Sequence, residues 1–315
     1  MTMLGHGDLP SRIKSALRGV LHPPHTHDTP SDLRVIGHRG AGWHAPENTR
    51  RSFQCAIDRG ATALETDVCR TRDGRFVLWH DADPRETITV ARAIGQRSAY
   101  YANEPAVGTS CRKPISEITY EEFLANFGYS KKHDPLSQVI DGNTKPEVQP
   151  EPVEALLDFA ANEPRLLDVF VDIKLRADEL DAARELARVI ETSNERARTP
   201  TRFHLLTTEV EVLEVLREAT LELKVYGDFE LPGVLDVAKQ LGLRDISMGM
   251  GQRIWPSFYR EVCDVIEARK RGELDSVIVW TINEEDRLRA LVEAGVNGIM
   301  TDDTELLCRV LREVR

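Results

Sequence analysis

Asp168-Val169-Phe170-Val171-Asp172-Ile173-Lys174 is followed by a helical pattern over 178–192, and this unit sets the architecture. Side chains along a strand alternate between its two faces. Val169, Val171 and Ile173 form one apolar row, suited to a covering helix. Phe170, Asp172 and Lys174 point the other way. Bare charges in a sealed interior are costly, but they are acceptable at the open C-terminal mouth of a barrel, where ligand groups gather. The unit recurs. Strand-like runs lie near 34–38, 62–70, 168–174, 202–207, 222–227, 243–248, 277–282 and 297–301. Helical patterns follow near 47–59, 151–163, 178–192, 209–218, 232–241, 256–271, 284–294 and 304–314. Their apolar spacing supports them, with Leu288, Leu291 and Val292 in one and Leu306, Leu307, Val310 and Leu311 in another. Gly60, Gly242 and Gly295 stand as helix stops. Eight strand–helix units predict an α/β fold of the (β/α)8 TIM-barrel type. A doubly wound sheet would need a crossover reversal that the sequence does not locate.

One strand, Arg75 to His80, exceeds the count. Asp73-Gly74 before it signals a two-residue hairpin turn. That turn pairs Arg72 with Arg75 and sets Asp67 opposite His80, with Cβ atoms roughly 5 Å apart. Residues 82–150 then form a long insertion after the second-strand hairpin, with one helix candidate from Thr119 to Phe127. It leaves the chain beside His80, which suits a lid or binding element; the alternative is a packing extension on the barrel rim. Residues 1–33 read as an N-terminal extension, with an amphipathic pattern over 11–21 and a linker over 22–30 bearing His22, His25 and His27. Residues 34–315 read as one barrel domain, insertion included.

The chain has 315 residues and 41% hydrophobic content, enough for a sizeable core. Its formal net charge of -11 argues against nucleic acid as a partner. An anionic small-molecule substrate then needs local compensation by a metal and by Arg or Lys. No run approaches the ~20 apolar residues of a transmembrane segment, and no secretory signal is visible. Five scattered cysteines without a CxxC pair read as free thiols of a reducing compartment, which points to the cytoplasm.

The chemistry concentrates in Gly37-His38-Arg39-Gly40, Glu65-Thr66-Asp67 and His80-Asp81. Glu65 and Asp67 share a strand face, and Asp172 faces the same axis. Three inward carboxylates match a hard divalent site for Mg2+ or Ca2+, completed by water and substrate oxygens. An ion-pair network with Arg39 and Lys174 is the alternative. Histidines pass protons near neutral pH. His38 and His80 both reach the carboxylate cluster, whereas His133 and His204 read as structural. Arg39 suits a phosphoryl oxygen or a carboxylate, and both roles can coexist. Trp280, in Trp280-Thr281-Ile282-Asn283, either walls the pocket or fills the core. Together these residues suggest metal-assisted cleavage of a phosphodiester.

The ordered set His38-Arg39, Glu65-Thr66-Asp67 and His80-Asp81 resembles the HR…ExD…HD signature of glycerophosphodiester phosphodiesterases. Pro46-Glu47-Asn48-Thr49 is similar to their PENT segment, and Asp172-Ile173-Lys174 to their ExK strand, with Asp in place of the usual Glu. Trp280 to Asn283 and Gly298-Ile299-Met300-Thr301-Asp302 resemble their closing segments. The resemblance runs from about 34 to 314. It implies a barrel phosphodiesterase in which Glu65, Asp67 and Asp172 hold one divalent cation. It further implies that His38 and His80 are the acid–base pair and that Arg39 and Lys174 contact phosphate. The expected reaction is hydrolysis of a glycerophosphodiester to sn-glycerol 3-phosphate and an alcohol. A cyclising phospholipase-D-like lyase and a sugar-phosphodiester enzyme of the opine type are the alternatives on the same site. A non-enzymatic binding barrel would leave His38 and His80 without a purpose.

Overall fold

β1 (Arg34–Gly37) pairs in parallel with β2 (Ala63–Arg70), and that pairing closes a ring. In chain order, the computed structural model continues with β3 (Phe76–Leu78), β4 (Tyr100–Asn103), β5 (Gly128–Lys131), β6 (Asp168–Ile173) and β7 (Arg202–Thr207). β8 (Lys224–Phe229), β9 (Asp245–Gly249), β10 (Ser276–Trp280) and β11 (Gly298–Thr301) complete the strands. It describes residues 33–87, 89, 98–131, 145–195, 201–220 and 222–314. Round the ring the order is β1, β11, β10, β9, β8, β7, β6, β2, all parallel, with β3 antiparallel against the upper half of β2. This is the expected (β/α)8 barrel, and each ring strand begins and ends within two residues of its predicted run.

The covering helices are α1 (Arg50–Asp58), α3 (Val153–Asn162), α4 (Leu180–Glu195), α5 (Val210–Ala219), α6 (Val234–Gln240), α7 (Trp255–Lys270), α8 (Glu285–Ala294) and α9 (Thr304–Val314). α2 (Tyr120–Asn126) belongs to the insertion. The strand alternation has its predicted outcome. Val169, Val171 and Ile173 pack outward with Leu156, Leu186 and Ile190 of the helices. Phe170 points inward with Ile36, Leu206, Tyr226, Ile278 and Met300, a buried layer that plugs the barrel below its mouth. No helix among the described residues is long and apolar enough to cross a membrane. All five cysteines are free thiols. The expected helix at 11–21, the linker histidines and His133 lie outside the described residues.

The hairpin register differs from expectation by one residue. Val68, Cys69 and Arg70 pair with Leu78, Val77 and Phe76, so Asp67 stands beside Trp79, whose N–H donates to the Asp67 carbonyl at 3.1 Å. A two-residue type I′ turn needs positive φ at both central positions. Here Gly74 alone has it, at 87°. The loop is instead three residues, Arg72-Asp73-Gly74, closed by Thr71 N–H to Arg75 C=O at 2.9 Å and fastened by the Thr71 hydroxyl to Asp73 at 2.7 Å.

Trp79, Val77 and Cys69 do not face solvent. They pack with Ile115, Ile118, Phe123, Phe127 and Tyr129 into a separate buried cluster. The described part of the insertion therefore carries its own small core, seated on the hairpin.

The closed end of the barrel is held by one carboxylate. Asp168 accepts from Arg34 Nε at 3.0 Å, from Arg202 Nε and Nη2 at 2.8 Å each, and from His204 Nε2 at 2.7 Å. Burial pushes its pKa up, but His204, Arg202 and Arg34 together hold it well below the usual carboxylate range. A depressed folded pKa stabilises the fold above the unfolded value, and this stability is lost only as pH falls through the folded pKa. Asp168→Asn leaves Arg34 and His204 without an anionic partner. We expect about 3 kcal/mol of lost stability at pH 7, near the low end for a broken buried pair because Arg202 is largely exposed. Urea denaturation measures it; a shift below about 0.5 kcal/mol would show that this network is not a stabilising one.

Candidate active site

Three carboxylates meet because two parallel strands are in register. Asp67 on β2 stands directly beside Asp172 on β6, and Glu65 lies one inward position below Asp67. One oxygen of each residue lies within 4.8 Å of the others. Asp172, although a methylene shorter than Glu, therefore reaches the cluster. The donor set is oxygen only, which suits a hard divalent cation. Its electrostatics suit one as well. Burial and then the Asp67 charge push the Glu65 carboxyl well above the ordinary range. Burial also raises Asp172, and Lys174 only partly offsets this. Asp67 alone is held low, because Arg39, His80 and Lys174 outweigh its burial. Two of the three carboxylates thus lack full compensation from the protein's own cations.

Those cations are both engaged. Lys174 Nζ lies 2.5 Å from Asp172 Oδ2 and 3.3 Å from Asp67 Oδ1. Burial lowers its pKa, but Asp172 and Asp67 overcome that and hold it firmly protonated. Arg39 Nη1 donates to Glu47 at 3.1 Å, and Arg39 Nε is 3.0 Å from Asp67 Oδ2. That Nε–H is not in line with the carboxylate and has no hydrogen-bond acceptor among the described residues. The ion-pair network and the candidate metal cluster are thus the same residues.

Residues 37–49 build the turn that aims Arg39. Arg39 has φ of 51°, a left-handed conformation that costs a non-glycine residue energy. It is held there by its N–H to Glu65 Oε2 at 2.8 Å and by its carbonyl, which accepts from Asn48 N–H at 3.1 Å and the Ser52 hydroxyl at 2.8 Å. Gly40 follows at φ 83°, where a Cβ would run into Ser52. Asn48, also left-handed at φ 56°, donates from Nδ2 to Asp67 at 2.9 Å. Its Oδ1 accepts from the Thr66 hydroxyl at 2.8 Å and from Asp67 N–H at 3.1 Å. Thr49 caps α1 in a reciprocal capping box with Ser52. Glu47, Asn48 and Thr49 therefore hold Arg39, Asp67 and the helix start respectively.

Both imidazoles are anchored alike. His38, just after β1, bonds Asp302 through Nδ1 at 2.8 Å. His80 bonds its neighbour Asp81 through Nδ1 at 2.6 Å. Asp302 is itself clamped by Asn283, whose Nδ2 donates to Asp302 Oδ2 at 2.7 Å and whose Oδ1 accepts Asp302 N–H at 2.9 Å. Burial raises the Asp302 pKa, yet His38 and Asn283 bring it below the ordinary value. A carboxylate on Nδ1 fixes the tautomer in which Nε2 is the proton-accepting nitrogen. His204, by contrast, is buried against Asp168 at the closed end and is structural.

A cavity of about 590 Å3 opens at the barrel mouth. His38, Arg39, Glu65, Asp67, His80, Asp172, Lys174 and Trp280 all line it. Trp280 walls the pocket and also packs on the interior layer. Its Nε1–H donates to Asp228 at 2.6 Å. Gly249 makes room for the ring, since a Cβ there would meet ring carbons at 2.8 Å. Burial and then Asp172 push Asp228 up to about 7. Among the described residues, none of the insertion lines the cavity. Sequence reasoning assigned no role to Glu47, Asn48, Asp81, Asp228, Asn283 or Asp302. All but Asp228 sit inside the motifs quoted above, which was the available signal; Asp228 had none.

Residues 38–306 match the sequence profile described as the Glycerophosphoryl diester phosphodiesterase family. The chain is 25% identical over 296 residues to a glycerophosphodiester phosphodiesterase of Caldanaerobacter subterraneus, covering 89% of this chain and 98% of that one. In structure it resembles a glycerophosphodiester phosphodiesterase from Parabacteroides distasonis, at TM-score 0.62 and 19% identity over 90% of this chain and 98% of that one. It also resembles an Oleispira antarctica phosphodiesterase solved with the product sn-glycerol-3-phosphate, at TM-score 0.62 and 15% identity over 88% and 96% of the two chains.

Proposed function

The chain belongs to the glycerophosphoryl diester phosphodiesterase family, whose members are phosphoric diester hydrolases, and we propose that it hydrolyses a glycerophosphodiester to sn-glycerol 3-phosphate and an alcohol. One observation carries the reading: a three-carboxylate cluster lies in one cavity with two imidazoles, each tied by Nδ1 to its own carboxylate. The product bound to the Oleispira antarctica relative agrees with it.

Glu65, Asp67 and Asp172 would hold one divalent cation, Mg2+ or Ca2+. When bound, it would polarise a phosphoryl oxygen and offset the charge that grows there. Arg39 and Lys174 orient the phosphate. One histidine takes the proton from the attacking oxygen, and the other returns a proton to the departing alkoxide. Trp280 bounds the space left for the substrate. We read residues 34–315 as the catalytic unit, 1–33 as an extension and 82–150 as an accessory insertion. The five free thiols support a reducing, cytoplasmic setting.

The test is metal stripping. Chelation should abolish turnover of glycerophosphodiesters, and added Mg2+ or Ca2+ should restore it. At a metal concentration a hundredfold above Kd, the bound ion adds about 2.7 kcal/mol, or about 5 °C in Tm for a chain of this size. Full activity and an unchanged Tm in stripped protein would remove the metal from this reading.

A further inference from the structure

We propose that the cavity wall formed by the ends of β7 and β8 and the starts of α5 and α6 is a subsite for an apolar chain, so that the diester cleaved carries a hydrocarbon substituent. This rests on the phosphodiesterase reading above and narrows its substrate class. The cavity is two-sided. Among the described residues, the Arg and Lys side chains that line it, Arg39 and Lys174, stand with the carboxylates on the β1, β2 and β6 side. Next to β6 round the ring, the ends of β7 and β8 and the starts of α5 and α6 supply Leu206, Val210, Phe229, Leu231, Val234 and Val237. The polar side chains on that side are Thr208, Asp228 and Glu230. Two of these are acids, and Asp228 already accepts from Trp280. A second anionic group would be repelled there, and a polyol would find few donors.

The wall continues outward into uncovered apolar surface. Leu231 is 77% exposed and Val210 is 41% exposed. Ile254, on the next strand–helix connection of the same mouth, is 73% exposed. A single exposed leucine needs no explanation. An exposed leucine at the outer end of a continuous apolar lining beside a phosphate-sized polar cluster does. A chain running from the phosphate along this wall would remove both surfaces from water, the main driving force for apolar association.

The experiment uses the metal-loaded full chain and sn-glycero-3-phospho-n-alkanols from ethyl to octyl, kept below micelle formation, with glycerophosphocholine as the polar comparison. We expect kcat/KM to rise about fourfold per methylene over the first few carbons, then level off. Leu231→Asp should cut the octyl-to-ethyl ratio of kcat/KM by about tenfold. A flat series, or a choline diester that exceeds every alkyl diester, overturns the subsite while leaving the phosphodiesterase reading standing. Without turnover of any diester that reading fails, and calorimetric binding of n-alkyl phosphates decides the subsite. Affinity rising with chain length then upholds it, and a constant Kd overturns it.

Discussion

Replacing His38 or His80 with alanine should lower kcat by about two to four decades, the range of general acid–base catalysis. Each imidazole has its Nδ1 committed to a carboxylate, Asp302 at 2.8 Å and Asp81 at 2.6 Å. That arrangement orients the ring and stabilises its protonated form, as an acid–base residue requires. Neither ring belongs to an apolar core cluster, so the fold should survive both substitutions. Steady-state kinetics with metal present give the size of the effect, and circular dichroism checks the fold. The pH profile adds a readout that a structural role would not move. Loss of the base should remove one limb of a bell-shaped curve, and loss of the acid should remove the other. Asp302→Asn, which keeps the shape but not the charge, should reduce kcat less than His38→Ala does. A kcat within threefold of the parent in either alanine variant takes that histidine out of the reaction.

Glu65→Gln should move stability and activity in opposite directions. The Glu65 carboxyl is raised by burial and by Asp67. A raised folded pKa means that the folded state binds the extra proton between the unfolded and folded values, so stability falls as pH rises through that window. At neutral pH, above the unfolded value, the raised carboxyl therefore opposes folding in metal-free protein. Glutamine is isosteric and its amide oxygen can still accept the Arg39 N–H that Glu65 Oε2 accepts at 2.8 Å. The metal-free variant should melt at or above the parent temperature. Its response to Mg2+ or Ca2+ should shrink, and kcat/KM should fall by at least the ten- to hundredfold seen when groups around a metal are lost. Calorimetry with and without metal reads both effects. A variant that melts lower without metal yet keeps the full metal response would contradict the assignment of Glu65 as a ligand.

Periodicity carried most of the fold. The alternation in 168–174 separated helix-facing Val169, Val171 and Ile173 from inward Phe170 and Asp172, and the structure has the same division. Position along a strand also brought Glu65, Asp67 and Asp172 to one end of the barrel. The hairpin was visible at Asp73-Gly74, but its register was not. The same dipeptide serves a two-residue turn or the last part of a three-residue turn, and the Thr71 hydroxyl decided for the second. His80 still reaches the site because the chain leaves the strand after Leu78.

By itself, then, the sequence determined the strand–helix repeat, the inward carboxylates, the two histidines and the family signature. These depend on side-chain alternation and on residues close together in the chain. The tertiary structure decided what holds them. His38 meets Asp302 across 264 positions, and Trp280 meets Asp228 across 52. Asn48 fastens Asp67 from a left-handed turn, and Arg39 is caught between Glu47 and Asp67. The apolar wall likewise exists only because β7 and β8 follow β6 round the closed ring. Such contacts are fixed by barrel closure, which brings distant strand ends together at one mouth. No local pattern records that closure, because its stabilisation comes from burying the faces of all eight strands at once.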